Sequence, residues 1–320
     1  MYNIGIIDKI NPKGLEILDN KDNFKYEIIT DLSTENLLKK LPEFDGITLR
    51  RGKIDSKILS NCKKLKVISR HGVGYDNVDV DYIKQNNIKL LVTDSSTSTS
   101  PAEHIMYMIL SIYKGVNMFD SMVRNGNFAK AINLNIKENF ELYKKKILIV
   151  GFGRIGKKLI KKCLGFDLIV DVFDPYVDNK IIKSYGGTKV SNLVGSLKKT
   201  DILSLSLPRN EKTYNLISLK EMKLMKKDSI IINVSRGGIV NEKDLNFALN
   251  KKLISYAGID VFEKEPPNKN NPLLSNKRVL LSPHAATFTK ECLENMSIET
   301  VNNVIDFFEK KIDKSKIVSL

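Results

Sequence analysis

The sequence predicts an α/β protein with two doubly wound parallel-sheet domains and a cleft between them. Two series of short apolar runs alternate with amphipathic stretches, which is typical of strands wound with helices. One long apolar-periodic run separates the two series. The chain has 320 residues, of which 42% are hydrophobic, and can therefore bury the cores of two domains.

The first series predicts a parallel sheet between residue 1 and about residue 95. Its strands are the runs NIGIID, KYEIIT, DGITLR, LKVISR and IKLLVT. Residues 289–320 are helical in pattern and return to this domain, which we assign to 1–100 plus 289–320. A chain that leaves a domain and returns to it makes a cleft between the two domains.

The second series predicts a second sheet, in a domain that we assign to residues 101–288. A polar patch ends at Ser100, and Pro101 follows as the predicted first residue of one long helix through residue 123. The predicted strands are KILIVGFG, LIVDVFD, DILSLSL, SIIINVS, SYAGIDVF and RVLLSP.

The charge of the chain raises the question of a nucleic-acid partner. Lys and Arg number 52 against 37 acidic residues, a formal net charge of +15. The lysines are scattered over almost every predicted helix, and no basic block with interleaved aromatic residues occurs. We therefore expect no nucleic-acid partner; the alternative would be recognised by steeply salt-dependent DNA binding.

The cysteines and the lengths of the apolar runs indicate the cellular compartment. Cys62, Cys163 and Cys292 are far apart and lack metal-ligand spacing, so we expect no metal site and a reducing environment. No window approaches the roughly 20 apolar residues of a membrane helix, and the N-terminus lacks the features of a signal peptide. A cytoplasmic protein without a membrane partner is expected.

A glycine-rich turn between a predicted strand and helix indicates dinucleotide binding. In Gly151–Gly156, the first glycine permits a tight turn, Gly153 lets the backbone approach a pyrophosphate, and the last lets the helix press on the sheet. Arg154 and Ile155 complete this motif. A methyltransferase could use the same turn for S-adenosylmethionine, so the motif alone does not identify the ligand.

A carboxylate at the end of the next strand strengthens this interpretation. Asp174 lies 18 residues beyond Gly156, where it can accept hydrogen bonds from both adenosine ribose hydroxyls. It would repel a 2′-phosphate, and the following Pro175-Tyr176 offers no Arg to receive one. The predicted cofactor is NAD rather than NADP.

Three further motifs end predicted strands of the second domain, where open α/β sheets hold their ligands. They are residues 233–238 (NVSRGG), 260–266 (DVFEKEP) and 282–284 (SPH). A histidine near neutral pKa suits removal of a hydroxyl proton, and His284 is the candidate base. Arg236 offers a planar fork for a substrate carboxylate.

Together these ordered motifs resemble the D-isomer-specific 2-hydroxyacid dehydrogenases, over nearly the whole chain. This family includes phosphoglycerate dehydrogenases and glyoxylate/hydroxypyruvate reductases. The resemblance implies a Rossmann-type NAD domain, a flavodoxin-like substrate domain and hydride transfer at C2 of a small 2-hydroxy acid. It also implies that Glu265 contacts the second imidazole nitrogen of His284 and that Asp260 orients the nicotinamide carboxamide. The walls of the cofactor site align with Pro208, Thr213, Val234 and Ser235.

The resemblance assigns substrate contacts to the first domain as well. Backbone N–H groups of Val73 and Gly74, within the turn Arg70–Asn77, would receive the substrate carboxylate. Arg50 matches the position at which phosphoglycerate dehydrogenases grip a phosphate, so 3-phosphoglycerate is the preferred substrate. A reductase of glyoxylate, hydroxypyruvate or another 2-oxo acid is the alternative, and an NAD(H)-sensing protein without turnover is the alternative of another class.

Two more expectations concern histidines and assembly. His71 directly precedes Gly72 in the turn Arg70–Asn77. His104 lies in the long helix, where we interpret it as a packing or interface residue rather than a base. The long helix and the segment around Phe128 resemble the dimer interface of the family, which implies a homodimer.

Overall fold

The computed structural model describes residues 1–136 and 138–319. The chain divides into two compact units: unit 1 comprises Met1–Thr97 and Thr287–Leu320, and unit 2 comprises Ser98–Ala286. From the sequence we predicted one domain of residues 1–100 plus 289–320 and a second domain of residues 101–288. Within the described residues, no helix is both long and apolar enough to cross a membrane.

Unit 1 is built on a five-stranded parallel sheet with the order β2-β1-β3-β4-β5. This is the flavodoxin-like strand order, as predicted for the substrate domain. The strands are β1 (Tyr2–Ile7), β2 (Phe24–Ile29), β3 (Gly46–Leu49), β4 (Val67–Arg70) and β5 (Lys89–Val92). The connecting helices are α1 (Pro12–Asp19), α2 (Thr34–Lys40), α3 (Ser56–Leu59) and α4 (Val80–Gln85).

Unit 2 is built on a seven-stranded parallel sheet, which confirms the second doubly wound domain. Its strands are β6 (Lys146–Val150), β7 (Ile169–Phe173), β8 (Thr188–Lys189), β9 (Ile202–Leu205), β10 (Ile230–Asn233), β11 (Tyr256–Ile259) and β12 (Val279–Leu281). Its helices are α5 (Thr99–Tyr113), α6 (Val116–Arg124), α7 (Phe128–Ile132), α8 (Arg154–Gly165), α9 (Asn179–Ser184), α10 (Leu193–Leu197), α11 (Leu219–Met222) and α12 (Glu242–Asn250).

The strand order of unit 2 determines where a ligand can bind. The order is β12-β11-β10-β9-β6-β7-β8, so the chain winds outward in one direction from β6 and then in the other from β9. Loops diverge at such a switch point and leave a crevice beyond the carboxyl ends of the strands. Both faces of the sheet are covered, because separate apolar cores lie on each, and strands such as β9 and β10 are buried throughout.

Two local predictions were wrong. The long helix predicted through residue 123 is two helices, α5 and α6, because Gly115 between them has φ +60° and ends the helical path. Helix α5 begins at Thr99, so Pro101 is its third residue rather than its first. Proline fits there since N–H groups of the first turn have no partner within the helix. The two-residue edge strand β8 was not predicted.

The last helix, α13 (Lys290–Phe308), belongs to unit 1, where it packs on α1, β3 and β4. Its buried Glu299 binds the loop that follows β5. The carboxylate accepts N–H bonds from Asp94 (3.2 Å), Ser95 (3.3 Å) and Ser96 (3.2 Å), and the Ser96 hydroxyl donates at 2.7 Å. Burial raises the pKa of Glu299, but the hydrogen bonds from Ser96 and Ser95 outweigh it and hold that pKa below its usual value.

We predict that Glu299→Gln destabilises the protein in a pH-dependent way. The folded-state pKa is lowered, so the stabilisation is complete above the unfolded-state pKa and is lost as pH falls through the folded-state pKa. We expect a loss of about 1–3 kcal/mol at pH 7. Urea unfolding at pH 7 and at acidic pH measures it, with Glu294→Gln on the same helix as control. A difference that does not shrink on acidification would contradict this account.

Candidate active site

The turn after β6 has the geometry that its glycines require. Gly151 has φ +96°, and an added Cβ would lie 2.3 Å from the Ser206 carbonyl oxygen. At Gly156 an added Cβ would lie 2.6 Å from the Gly151 carbonyl oxygen. A side chain at Gly151 would therefore push the turn away from the loop after β9, and one at Gly156 would push α8 away from the turn after β6.

The start of α8 fits a pyrophosphate. An added Cβ at Gly153 would meet no atom of the described chain within 4 Å, so this side of the turn faces open space. Gly153 is the N-cap of α8, and because it has no side chain it supplies no capping acceptor to the first helical turn. Such an end attracts anions.

Asp174 lies against this turn. Its Oδ2 accepts from Phe152 N at 2.8 Å, and its Oδ1 accepts from the N–H groups of Tyr176 (2.9 Å) and Val177 (3.2 Å). The carboxylate is thus held at the end of β7, beside the glycine turn, while remaining partly exposed. An acceptor fixed there suits a ribose diol, so the described residues fit a dinucleotide.

The loop after β10 holds Arg236. The Asn233 side-chain amide donates to the Arg236 carbonyl oxygen at 2.9 Å, and its oxygen accepts from Ser235 N and Oγ at 3.1 and 2.8 Å. Arg236 is partly buried, and its Nη1 donates to the Ser235 carbonyl oxygen at 2.7 Å. Asn233, which we did not assign from the sequence, fixes this loop.

The Arg236 loop lies close to the loop after β11. An added Cβ at Gly237 would lie 1.8 Å from the Phe262 carbonyl oxygen, so only glycine permits this approach. Glu265 follows on that second loop, and its Oε1 accepts from Phe262 N at 3.0 Å. Partial burial raises the pKa of Glu265, but the hydrogen bonds from His284 and Phe262 and the charge of Arg236 bring that pKa below its usual value.

His284 lies directly beside Glu265. Its Nδ1 is 2.7 Å from Glu265 Oε2, and the imidazole is about half exposed, with 48% of its side-chain surface accessible. His284 has φ +52°, a conformation unusual for a residue with a side chain. Its N–H donates to the Asp260 carbonyl oxygen at 2.7 Å.

Asp260 is completely buried at the end of β11. Its Oδ1 accepts from Ser282 Oγ at 2.5 Å and from Ala285 N at 2.7 Å, and its Oδ2 accepts from Ala286 N at 3.0 Å. The carboxylate therefore holds the turn that follows His284. Its orientation of a nicotinamide carboxamide stays a prediction.

The other predicted wall residues occupy the loops after β9 and β10. Thr213 Oγ1 donates to the Pro208 carbonyl oxygen at 2.7 Å and so closes the loop after β9. Pro208 is exposed, whereas Val234 and Ser235 are buried beside Arg236.

Unit 1 contains the predicted carboxylate-binding turn. Gly72 exchanges two hydrogen bonds with Thr93: Gly72 N donates to Oγ1 at 2.7 Å, and Thr93 N donates to the Gly72 carbonyl oxygen at 3.2 Å. Arg70 Nε donates to the Gly74 carbonyl oxygen at 2.6 Å. Among the described residues, the N–H groups of Val73 and Gly74 have no acceptor, and the Val73 side chain is exposed.

Arg50 lies near this turn in unit 1, because Arg70 Nη1 donates to the Arg50 carbonyl oxygen at 2.8 Å. Arg50 Nη1 donates to the Lys9 carbonyl oxygen at 3.0 Å and lies 3.5 Å from Asp8 Oδ2. Arg51 binds the same carboxylate at 2.6 Å. Asp8 was not predicted from the sequence as a partner of these arginines.

His71 is buried between these groups. Burial is the main cause that lowers its pKa to about 4, and the charges of Arg50 and Arg70 add to it. The imidazole is therefore neutral at pH 7.

Within the described chain, no group of three or more His, Cys, Asp or Glu side chains could hold a metal ion.

Comparisons with known proteins identify the family of the chain. Residues 106–286 match the family model described as D-isomer specific 2-hydroxyacid dehydrogenase, NAD binding domain. A D-3-phosphoglycerate dehydrogenase of Methanocaldococcus jannaschii is 33% identical over 91% of this chain and 54% of its own length. A glyoxylate reductase of Thermococcus litoralis is 34% identical over 86% of this chain and 84% of its own length.

One solved structure extends the comparison to the fold. An NAD-dependent formate dehydrogenase from Staphylococcus aureus in complex with NAD has a TM-score of 0.86 and 23% identity, covering 100% of this chain and 99% of its own. This chain spans about half the length of the phosphoglycerate dehydrogenases that it matches, 54% and 56% in two archaeal cases. By the family model and the glyoxylate reductase match, the chain belongs to the D-isomer specific 2-hydroxyacid dehydrogenase family, with its NAD binding domain in unit 2.

Proposed function

We propose that this protein catalyses reversible, NAD-dependent hydride transfer at C2 of a D-2-hydroxy acid. The observation that carries the proposal is the pairing of His284 Nδ1 with Glu265 Oε2 at 2.7 Å, next to the Arg236 loop. A base oriented by a carboxylate and a cation near it are what this oxidation requires.

Each side chain has a distinct task in the oxidation. Glu265 accepts from Nδ1 and so leaves Nε2 of His284 to take the proton of the C2 hydroxyl. The Glu265 carboxylate then stabilises the imidazolium that forms. Arg236 binds the substrate carboxylate and the C2 oxygen with its guanidinium fork. NAD, when bound, supplies the acceptor for the C2 hydride.

The described residues support roles around the cofactor and the carboxylate. The α8 N-terminus with Gly153 would hold the pyrophosphate and Asp174 the ribose diol, which favours NAD over NADP. In unit 1, the N–H groups of Val73 and Gly74 would receive the substrate carboxylate, as the resemblance implies.

We predict that His284→Asn lowers kcat by roughly two to four decades, because the proton acceptor is lost. Glu265→Gln should lower kcat by less, since the base remains but loses its orientation. Steady-state NADH absorbance measures both. Glu263→Gln, which alters an exposed carboxylate two residues from Glu265, is the control. A near-normal kcat in His284→Asn would exclude it as the base.

For the substrate, we propose 3-phosphoglycerate and phosphohydroxypyruvate. Arg50 lies at the end of β3, and of its guanidinium nitrogens only Nη1 has a hydrogen-bond partner among the described residues. The remaining guanidinium N–H groups can bind a phosphate in two-pronged geometry. Glyoxylate or hydroxypyruvate remains the second candidate, because Asp8 neutralises one of the two charges of Arg50 and Arg51.

The pair phosphohydroxypyruvate and hydroxypyruvate tests this choice, since only the phosphate differs. We expect kcat/KM to favour the phosphorylated acid by at least tenfold, about 1.4 kcal/mol. Arg50→Gln should abolish this preference, whereas Lys57→Gln, which removes an exposed lysine on α3, should keep it. A wild-type preference for hydroxypyruvate or glyoxylate would establish the second candidate.

Glyoxylate, pyruvate and 2-oxoglutarate complete the substrate panel. NADH binding without turnover of any of these acids would favour an NAD(H)-sensing protein, the alternative of another class.

We also propose a homodimer formed through α5, α6 and α7. Helix α6 has an apolar face, yet none of its residues is buried in the chain. Val123 on α6, Phe128 on α7 and Tyr107 on α5 are all more than half exposed. Exposed apolar side chains that cluster on a surface are typical of a protein interface.

Sedimentation velocity should give twice the chain mass of 36.3 kDa for the wild type. Val123→Glu should shift the protein toward the monomer, because a charge in the interface is costly to bury. Ile181→Glu, which changes an exposed apolar residue on α9, is the matched control. A wild-type monomer at micromolar concentration would refute the dimer.

A further inference from the structure

The surface of α5 that faces the end of β12 carries two polar side chains one helical turn apart. Ser100 Oγ donates to the Ala286 carbonyl oxygen at 2.6 Å. His104, four residues later, has Nε2 3.0 Å from Ser282 Oγ and 3.6 Å from Asp260 Oδ1. Both residues therefore contact the segment that carries His284.

The hydrogen bonds fix the direction of donation along this chain of groups. Asp260 receives a backbone N–H on each oxygen, from Ala285 and Ala286, and acts as an acceptor. The Ser282 hydroxyl has one hydrogen, which it donates to Asp260 Oδ1. Ser282 Oγ can then only accept from His104, so Nε2 of His104 carries a hydrogen.

This arrangement joins α5 to the turn that follows the candidate base. Asp260 holds residues 284–286 through its carbonyl oxygen and its carboxylate, and His284 there has φ +52°. A displacement of the Asp260 carboxylate would shift the backbone of this turn and with it the His284 imidazole. The His104 side chain is only 16% exposed, so water can replace its hydrogen bond to Ser282 only in part.

We propose that His104 is a positioning residue of the reaction, which acts through Ser282 and Asp260 to hold His284 against Glu265. This inference rests on the proposed function, because it assigns His104 to the same reaction. Among the described residues, His104 makes no hydrogen bond or ion pair with Glu265 or His284, so its effect is transmitted through the hydrogen bonds of Ser282 and Asp260.

The test compares two substitutions at residue 104, one that removes the hydrogen-bond donor and one that keeps a donor. His104→Met keeps an apolar side chain of similar length but cannot donate, and we expect kcat to fall by about tenfold through misplacement of the base. The Kd of NADH, measured by fluorescence, and the KM of the 2-oxo acid should change less than twofold. His104→Gln can donate from its amide and should retain most of kcat.

A double variant tests whether His104 and Ser282 act through the same hydrogen bonds. Ser282→Ala should lower kcat as His104→Met does. The kcat of the double variant should be no lower than that of the more impaired single variant, because both changes break the same chain of hydrogen bonds. Glu103→Gln on the same helix is the control. An unchanged kcat in His104→Met, failure of His104→Gln to rescue, or losses that multiply in the double variant would each overturn the proposal.

A second readout does not depend on turnover. The chain has three histidines, so each imidazole NMR signal can be assigned by substitution. We expect the His284 signal to move in His104→Met and Ser282→Ala and to stay in His104→Gln and Glu103→Gln. A wild type that turns over no acid would refute the proposed function, while these shifts would still decide whether His104 positions His284.

Discussion

The candidate active site depends on one buried carboxylate. Asp260 has no exposed surface, and burying a charge without hydrogen-bond donors costs several kcal/mol. The chain supplies donors from Ser282, Ala285 and Ala286, all within five residues after β12. The segment after β12 must therefore turn back toward the end of β11, and this turn brings His284 with it.

The turn has a cost that its hydrogen bonds offset. A residue with a side chain at φ +52° loses roughly 1–2 kcal/mol relative to the common conformations. The 2.7 Å bond from His284 N to the Asp260 carbonyl oxygen and the 2.7 Å contact to Glu265 both form in this conformation. Because β10, β11 and β12 are neighbours in a parallel sheet, their carboxyl ends meet at one edge. Arg236, Glu265 and His284 follow these three strands.

Local patterns predicted what local backbone geometry determines. The turn of Gly151 and the position of Asp174 were predictable, since a strand, a tight turn and a helix N-terminus leave a signature within some 25 residues. The proximity of Glu265 and His284 came from resemblance, because residue spacing does not specify which side chains meet across loops. The break at Gly115 was missed because glycine also occurs within helices.

The role of His104 shows the same limit at longer range. Periodicity predicts which face of a helix is buried, and it supported packing for this residue. Its hydrogen-bond partner Ser282 lies 178 residues further along the chain, so only the tertiary structure reveals it. The three residues between Ser100 and His104 place both side chains on one face of α5.

The proposed phosphate-binding role of Arg50 involves a competition with Asp8 that the sequence did not reveal. Asp8 is 95% buried and lies between the guanidinium groups of Arg50 and Arg51, so the three side chains together carry one positive charge. Their bonds to Asp8 lower the pKa of this carboxyl despite its burial, which opposes protonation as a way to admit an anion. In the proposed phosphate-binding role, the phosphate would bind the guanidinium edge of Arg50 that Asp8 does not occupy, and selectivity would depend on the geometry of that edge more than on the number of basic residues.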